Sequence, residues 1–324
     1  MISLDKITKT YNKGQVEAVK EVSLEINRGE LFGLIGPDGA GKTSIFRILT
    51  TLLLADKGKA TVNGYDVVKD YRKIRSSVGY MPGRFSLYQD LTIEENLQFF
   101  ATVFGTSIRE NYDLIKDIYQ QIEPFKDRRA GRLSGGMKQK LALCCALIHK
   151  PAVLFLDEPT TGVDVVSRKE FWEMLGRLKA EGITILVSTP YMDEARRCDR
   201  IALIQKGSIL SVNDPEGIIR GFPGDLYGVQ AANTHHLLRE VRGYTGTDSC
   251  FAFGDALHVT FKGDQSAPPG HLAGHLAENL AGHLAENGVA ADLLPYLRSK
   301  GLADVRLEKI TPGIEDCFIH LLKD

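Results

Sequence analysis

The segment "GPDGAGKT", Gly36 to Thr43, constrains this chain more than any other stretch. It has the spacing G-x-x-x-x-G-K-[ST] and falls between a short apolar run, "GELFGLIG", and "KTSIFRILTTLL", whose apolar residues recur at helical spacing. A glycine-rich turn between a buried strand and a helix start lets successive N–H groups curve around an anion, and the helix dipole adds to the attraction. On this reading Gly36, Pro37, Asp38, Gly39, Ala40 and Gly41 form a phosphate cradle. Lys42 reaches the terminal phosphates, and Thr43, followed by Ser44, offers a hydroxyl to Mg²⁺. A glycine turn that merely caps a helix is the plainer alternative, and the strand–turn–helix context argues against it.

A second segment, "AVLFLDEP", supplies what such a cradle needs. Val153 to Leu156 read as a buried strand that delivers Asp157 to its C-terminal edge, where ligands gather in open parallel sheets. Asp157 is the candidate metal carboxylate, and Glu158 the candidate to polarise or deprotonate an attacking water. Acids commonly end strands, so the pair gains meaning only beside a fitting cradle. Together the two segments predict a nucleoside triphosphate site with Mg²⁺.

Around them, short apolar strands alternate with helices. "MKQKLALCCALIHK" and "SRKEFWEMLGRLKAEG" read as helices, and "ITILVS" and "RIALIQKGSIL" as strands, a pattern that predicts a parallel sheet covered on both faces. "ISLDKITKTY" and "AVKEVSLEI" alternate as strands about the turn "NKGQ", "GKATVNGYDV" reads as a hairpin element and "RSSVGYM" as a further strand. From Thr92 to about Phe125 the pattern is helical, with Glu94 and Glu95 near its positive end and "FGTSIRENYD" as a break. In "LVSTPYMDEA", Thr189 and Pro190 read as the N-cap and first residue of a short helix. After about Gly221 the chain changes to a small mixed domain with the order β-α-β-β-α-β. Within it "LAGHLAEN" occurs twice, at 272–279 and 280–287, and reads as a duplication lengthening a surface connection. His271, His275 and His283 there have no cysteine or aspartate beside them to mark a metal site.

Charge and cysteine usage narrow the class. With 40 Lys+Arg against 41 Asp+Glu there is no general electrostatic case for nucleic acid. Five cysteines without C-x-x-C spacing (Cys144, Cys145, Cys198, Cys250, Cys317) favour reduced thiols in the cytosol. No stretch has the length and apolarity of a membrane span, and "MISLDKITKTYNKGQ" has charges where a signal peptide needs an apolar core. The chain is therefore expected not to cross a membrane by itself, which leaves room for a membrane partner.

"LSGGMKQKLAL", Leu133 to Leu143, resembles the signature of ATP-binding cassette (ABC) ATPases and stands, as in that family, between the two phosphate segments. Tyr11 resembles the family's adenine-stacking aromatic, with Val16 assigned to the same nucleotide site, and "TGVD", Thr161 to Asp164, resembles the loop that joins two monomers. The resemblance covers roughly residues 1–220, and the remainder looks like the small domain carried by bacterial cassettes of the multidrug-export type. It implies an α/β P-loop NTPase of the ABC ATPase type with an antiparallel β subdomain and a helical subdomain at about 84–150. A small α+β domain follows over 221–324. It also implies two cassettes paired head to tail around two ATPs, the Ser134, Gly135 and Gly136 of each closing on the γ-phosphate held by the other. Independently, Ser134 reads as a helix N-cap. Membrane permease subunits would dock on the helical segment, whose start, "RFSLYQDLTIEENLQFFA", fits a docking face or an ordinary amphipathic subdomain.

Three positions depart from the family pattern. Gly83 stands where the family usually has glutamine, Asp38 where it has asparagine, and Pro190 where it has histidine. Gln89 would substitute for the missing glutamine only if its loop folded back, and Asp38 would find a partner in Arg84 or in a base across the interface. Proline offers neither a ring nitrogen nor an N–H to a γ-phosphate. The expectation is an ATP-binding exporter subunit, cytoplasmic at the inner face of the membrane, whose ATPase is weakened and whose second cassette is the same chain or a more complete paralogue. A regulatory module with little turnover, or a soluble cassette acting on the ribosome or nucleic acid, are the alternatives.

Overall fold

The computed structural model describes residues 1–262 and 289–322. The two "LAGHLAEN" copies and His271, His275 and His283 lie outside the described residues. The chain divides into two units, Met1–Glu216 and a second beginning at Gly217.

In the first unit β1 (Ile2–Tyr11) and β2 (Val16–Ile26) pair antiparallel, Ile2 opposite Ile26 and Tyr11 opposite Val16. β3 (Leu31–Ile35), buried at every residue, runs into the glycine turn, and α1 (Lys42–Leu49) follows. β4 (Lys57–Val62) and β5 (Tyr65–Asp66) complete an antiparallel sheet of order β2-β1-β4-β5. α2 (Tyr71–Ser77) then leads into β6 (Val78–Met81). Only the second half of "RSSVGYM" is therefore strand. The Asp70 carbonyl accepts from the Lys73 and Ile74 N–H groups, which commits the preceding residues to helix, and Ile74 anchors that helix with no exposed surface.

The predicted helical region is two helices, α3 (Ile93–Val103) and α4 (Tyr112–Tyr119), separated within the expected break. Thr92 starts α3 through a capping box: its Oγ1 accepts the Glu95 N–H at 3.1 Å while Glu95 Oε2 accepts the Thr92 N–H at 2.8 Å. Asn96, fully buried, accepts the Tyr88 N–H and donates to the Tyr88, Leu91 and Thr92 carbonyls, pinning the loop before α3. α5 (Gly135–Leu147) is capped by Ser134, whose Oγ accepts the Met137 N–H at 3.4 Å.

β7 (Val153–Asp157), α6 (Val165–Ala180), β8 (Thr184–Thr189), β9 (Arg200–Gln205) and β10 (Ser208–Asn213) finish the unit. The large sheet has the order β10-β9-β3-β8-β7-β6, parallel except for β10. Short buried strands joined by helices reach this arrangement because each crossover places its helix on a sheet face. α1 contacts β2 and β4 of the small sheet and β7 of the large one, and Phe46 meets Phe155 edge to face at 6.2 Å. The expected helix start at Thr189–Pro190 is corrected. Thr189 pairs with Ile35 in the sheet, its carbonyl takes the Gly36 N–H, and a 3-10 turn begins only at Met192.

α7 (Pro215–Arg220) spans the boundary between the units. In the second unit β11 (Leu226–Gln230), α8 (Thr234–Gly243), β12 (Thr247–Phe253), β13 (Ala256–Phe261), α9 (Val289–Ser299) and β14 (Arg306–Ile310) follow in β-α-β-β-α-β order, with α10 (Ile314–Leu321) last. Its antiparallel sheet runs β12-β13-β11-β14 over a core that includes Val229, Leu237, Leu257 and Leu297. Among the described residues no helix is long and apolar enough to cross a membrane.

Candidate functional site

The glycine turn after β3 is shaped by what presses on it. Gly41 has φ +107°, and a side chain there would strike the Ala18 carbonyl of β2. Gly36 is hemmed in by the Ile204 carbonyl of β9. Gly207, at the β9–β10 turn, donates its N–H to the Ala40 carbonyl at 3.0 Å and accepts the Lys20 N–H at 2.8 Å. The turn is thereby clamped between the two sheets. The N–H groups of Gly41, Lys42 and Thr43 make no hydrogen bond among the described residues, as a helix start facing an anion requires. Lys42, 3% exposed, donates from Nζ to the Gly36 and Pro37 carbonyls at 2.7 and 3.0 Å and pairs with Glu158 Oε1 at 3.1 Å.

Asp157 ends β7 opposite Ser188 of β8, and Ser188 Oγ donates to Asp157 Oδ1 at 2.7 Å. The Glu158 N–H donates to Ser188, reaching its carbonyl oxygen at 3.1 Å and its Oγ at 3.0 Å. Glu158 has φ +52°, a left-handed backbone that the chain leaves a strand by only when held. Burial and the Asp157 charge push the Tyr80 phenol up to about 12.

Tyr11 lies within reach of the same turn, its hydroxyl 3.1 Å from Ser44 Oγ, with Val16 beside it across the β1–β2 pair. Thus Tyr11, Val16, the turn from Gly36 to Ser44, Asp157 and Glu158 collect along one edge. Ser134, Gly135 and Gly136 lie elsewhere, with Gly135 against Gly162 and Gly136 against Ser167. Gly83 abuts the Asp157–Glu158 peptide: a Cβ there would sit 3.0 Å from the Asp157 carbonyl oxygen. Gln89 does not fold back toward Glu158; its carbonyl accepts the Gly131 N–H, and its side chain packs on Gly131. Asp38 and Arg84 are exposed, and no ion pair joins them among the described residues. Pro190 is half-buried.

Ser188 and Gly207 were missed by sequence reasoning. The register of two neighbouring parallel strands, which sets Ser188 opposite Asp157, was the available signal for the first. For Gly207 the turn "QKGS" identifies a glycine, and nothing local says what it touches.

The donor set suits a magnesium–triphosphate group. Unpaired N–H groups and an ammonium face the turn, while a hydroxyl at Thr43 and a buried carboxylate at Asp157, 2% exposed, are hard oxygen ligands of the kind Mg²⁺ takes. The family model described as "ABC transporter" matches residues 19–161. The chain is 33% identical over 99% of its length to the probable multidrug ABC transporter ATP-binding protein YbhF of Escherichia coli K12, of which the match covers 52%. It therefore spans about half the length of that curated relative. It is 38% identical over 75% of its length to the Nod factor export ATP-binding protein I of Rhizobium sp. N33, covering 81% of that protein. Among solved structures it resembles the dimeric structure of MJ0796, a bacterial ABC transporter cassette, at 27% identity with a TM-score of 0.60, covering 66% of this chain and 98% of that one. A post-hydrolysis MJ0796 dimer bound to ADP and Pi matches at 26% identity with a TM-score of 0.60, over the same shares of both chains.

Proposed function

The chain belongs to the ABC transporter family as an ATP-binding cassette, and on that premise we propose that it is the ATP-binding subunit of an exporter. It binds Mg-ATP in a pair of cassettes and couples hydrolysis to solute export through partner permease subunits. The observation that carries this reading is the meeting of Lys42 and Glu158, 3.1 Å apart, beside a helix start with unpaired N–H groups.

In this reading Lys42 and the N–H groups of Gly41 to Thr43 neutralise and orient the phosphates. Thr43 and Asp157 hold Mg²⁺, which when bound draws charge from the phosphate oxygens. Glu158 accepts the proton of the attacking water, its backbone moored to Ser188, and the products are ADP and phosphate. Tyr11 and Val16 receive the adenine, while Ser134, Gly135 and Gly136 complete the site of the second cassette. A cleft of about 300 Å³ lined by Leu52, Tyr80, Leu87, Phe100 and Phe104 receives a cytosolic helix of the permease, which would hold the chain at the inner face of the membrane. Pro190 and Gly83 remove side-chain contacts to the reacting phosphate and water, so turnover is slow; one such contact is worth on the order of 10²–10³ in rate. Those two positions favour a second reading, a cassette that binds ATP and regulates with little turnover.

Titration with Mg-ATP and steady-state ATPase assays, for the chain alone and with a second cassette and permease, test the proposal. Binding by the single chain and slow turnover abolished by Glu158→Gln are expected. Failure to bind Mg-ATP overturns the proposal, and turnover at ordinary enzyme rates overturns the weakened site.

A further inference from the structure

Glu194 is the most buried acid of the first unit apart from Asp157, at 3% exposed, and the chemistry above does not use it. Its Oε2 accepts two hydroxyl hydrogen bonds, from Thr160 at 3.1 Å and from Thr189 at 2.5 Å. Thr160 stands two residues beyond Glu158 in the loop that leads to α6, and Thr189 is the last residue of β8. Both threonines are buried, at 1% and 0%. The Thr189 oxygen also accepts the Tyr191 N–H at 3.0 Å, so one short chain of bonds spans Thr160, Glu194, Thr189 and Tyr191.

The other carboxylate oxygen faces α6. Arg168 Nε lies 3.7 Å from Glu194 Oε1, its guanidinium covers the Tyr191 ring at 4.2 Å, and Asp193 is 4.0 Å from Nη1. Among the described residues neither Arg168 Nε nor Glu194 Oε1 has a hydrogen-bond partner, although both atoms are buried. Pro190 sits inside this cluster and donates nothing, having no N–H and no polar side chain. The Glu158 N–H holds the start of the loop to Ser188, and registration of Thr160, further along it, against the end of β8 falls to Glu194. An unpaired polar atom in such a place is costly, so a conformation that closes the 3.7 Å gap is favoured.

We propose that Glu194 is a positioning residue that fixes the loop carrying Glu158 and Thr160 to the end of β8, with Arg168 tightening on it as the loop is pressed home. The catalytic part of this inference rests on the reading of Glu158 as the group that handles the attacking water. Movement of the loop by a fraction of an ångström would misplace that carboxylate, while the cradle's N–H groups and the carbonyls of Gly36 and Pro37 that hold Lys42 stay in place.

The test uses the full chain with Thr160→Val, which is isosteric and lacks the hydroxyl, Thr160→Ser, which keeps it, and Glu194→Gln. Hydrogen exchange is followed at residues 158–164 and 189–195, alongside Mg-ATP binding and turnover. Thr160→Val and Glu194→Gln are expected to raise exchange in both segments about 10-fold, because either loses a buried bond at the shared carboxylate. Thr160→Ser should behave as the unaltered chain does. For Thr160→Val, Mg-ATP affinity should stay within about 2-fold while turnover falls about 10-fold. The proposal is overturned if exchange rises only in the segment that carries the substitution, if Thr160→Ser matches Thr160→Val, or if Thr160→Val leaves turnover unchanged. A chain without measurable turnover would sink the hydrolytic reading alone, since the exchange data still decide whether Glu194 joins the two segments.

Discussion

Gly83 and Pro190 differ in what a reversal would meet. At Pro190 the chain is half-buried beside a carboxylate network that holds Thr189 and Tyr191 independently, so a ring can be accommodated. At Gly83 a Cβ would press on the Asp157 carbonyl at 3.0 Å, and the chain after β6 would have to retreat from Asp157. Pro190→His is therefore expected to raise turnover by on the order of 10-fold or more, whereas Gly83→Gln alone is expected to gain nothing; steady-state ATPase assays of the two single variants check this. The placement of Lys42, Thr43, Asp157 and Glu158 was legible because motif spacing and strand ends are local properties. Ser188 and Glu194 were not, because each has a partner more than thirty positions away, Asp157 and Thr160, that the fold brings beside it. The same blindness made Thr189 look like a helix cap, when sheet pairing with Ile35 had already claimed it.

Among the elements, α3 and its approach loop depend on one buried amide. Asn96→Ala would leave the Tyr88 N–H and the Tyr88 carbonyl without their partner, a loss of about 2–3 kcal/mol that a shift in the urea midpoint would register. The capping box that starts α3 was readable as Thr92 followed by acids, but Asn96 looked like any polar helix residue. His149, just past α5, stacks on Phe104 at 3.7 Å and hydrogen-bonds the Val78 carbonyl. Burial holds its imidazole below the ordinary value near 6.5, so the folded chain prefers the neutral ring. Its contribution is thus full above about pH 6.5 and is lost as pH falls through the folded value, where the unfolded chain binds the proton more readily. His149→Phe keeps the stack and removes the proton site. Thermal melting at about pH 7.5 and about pH 5.5 should show a smaller acid loss for the variant than for the unaltered chain.

At the scale of the whole molecule, alternating strands and helices were enough to foresee the parallel sheet, and the β-α-β-β-α-β order of the second unit was visible in its pattern of short segments. Strand order was not, since β3 lies between β8 and β9 and nothing local announces that neighbourhood. All five cysteines are free and buried, and burial pushes the Cys250 and Cys317 thiols up to about 11 and the other three higher. Titration with an aromatic disulfide reagent should find none reactive in the native chain and all five in denaturant. The clamp at Gly207 has a consequence for selectivity between ligands. Because this glycine bonds Ala40 on one side and Lys20 on the other, the sheet that carries Tyr11 and the glycine turn proposed to meet phosphate share one alignment. Gly207 has φ +84°, and a side chain there would press on the Ala18 carbonyl, tilting the two apart. Gly207→Val should weaken Mg-ATP more than bare tripolyphosphate, and the ratio of the two affinities would measure how far the chain recognises a base as well as a charge.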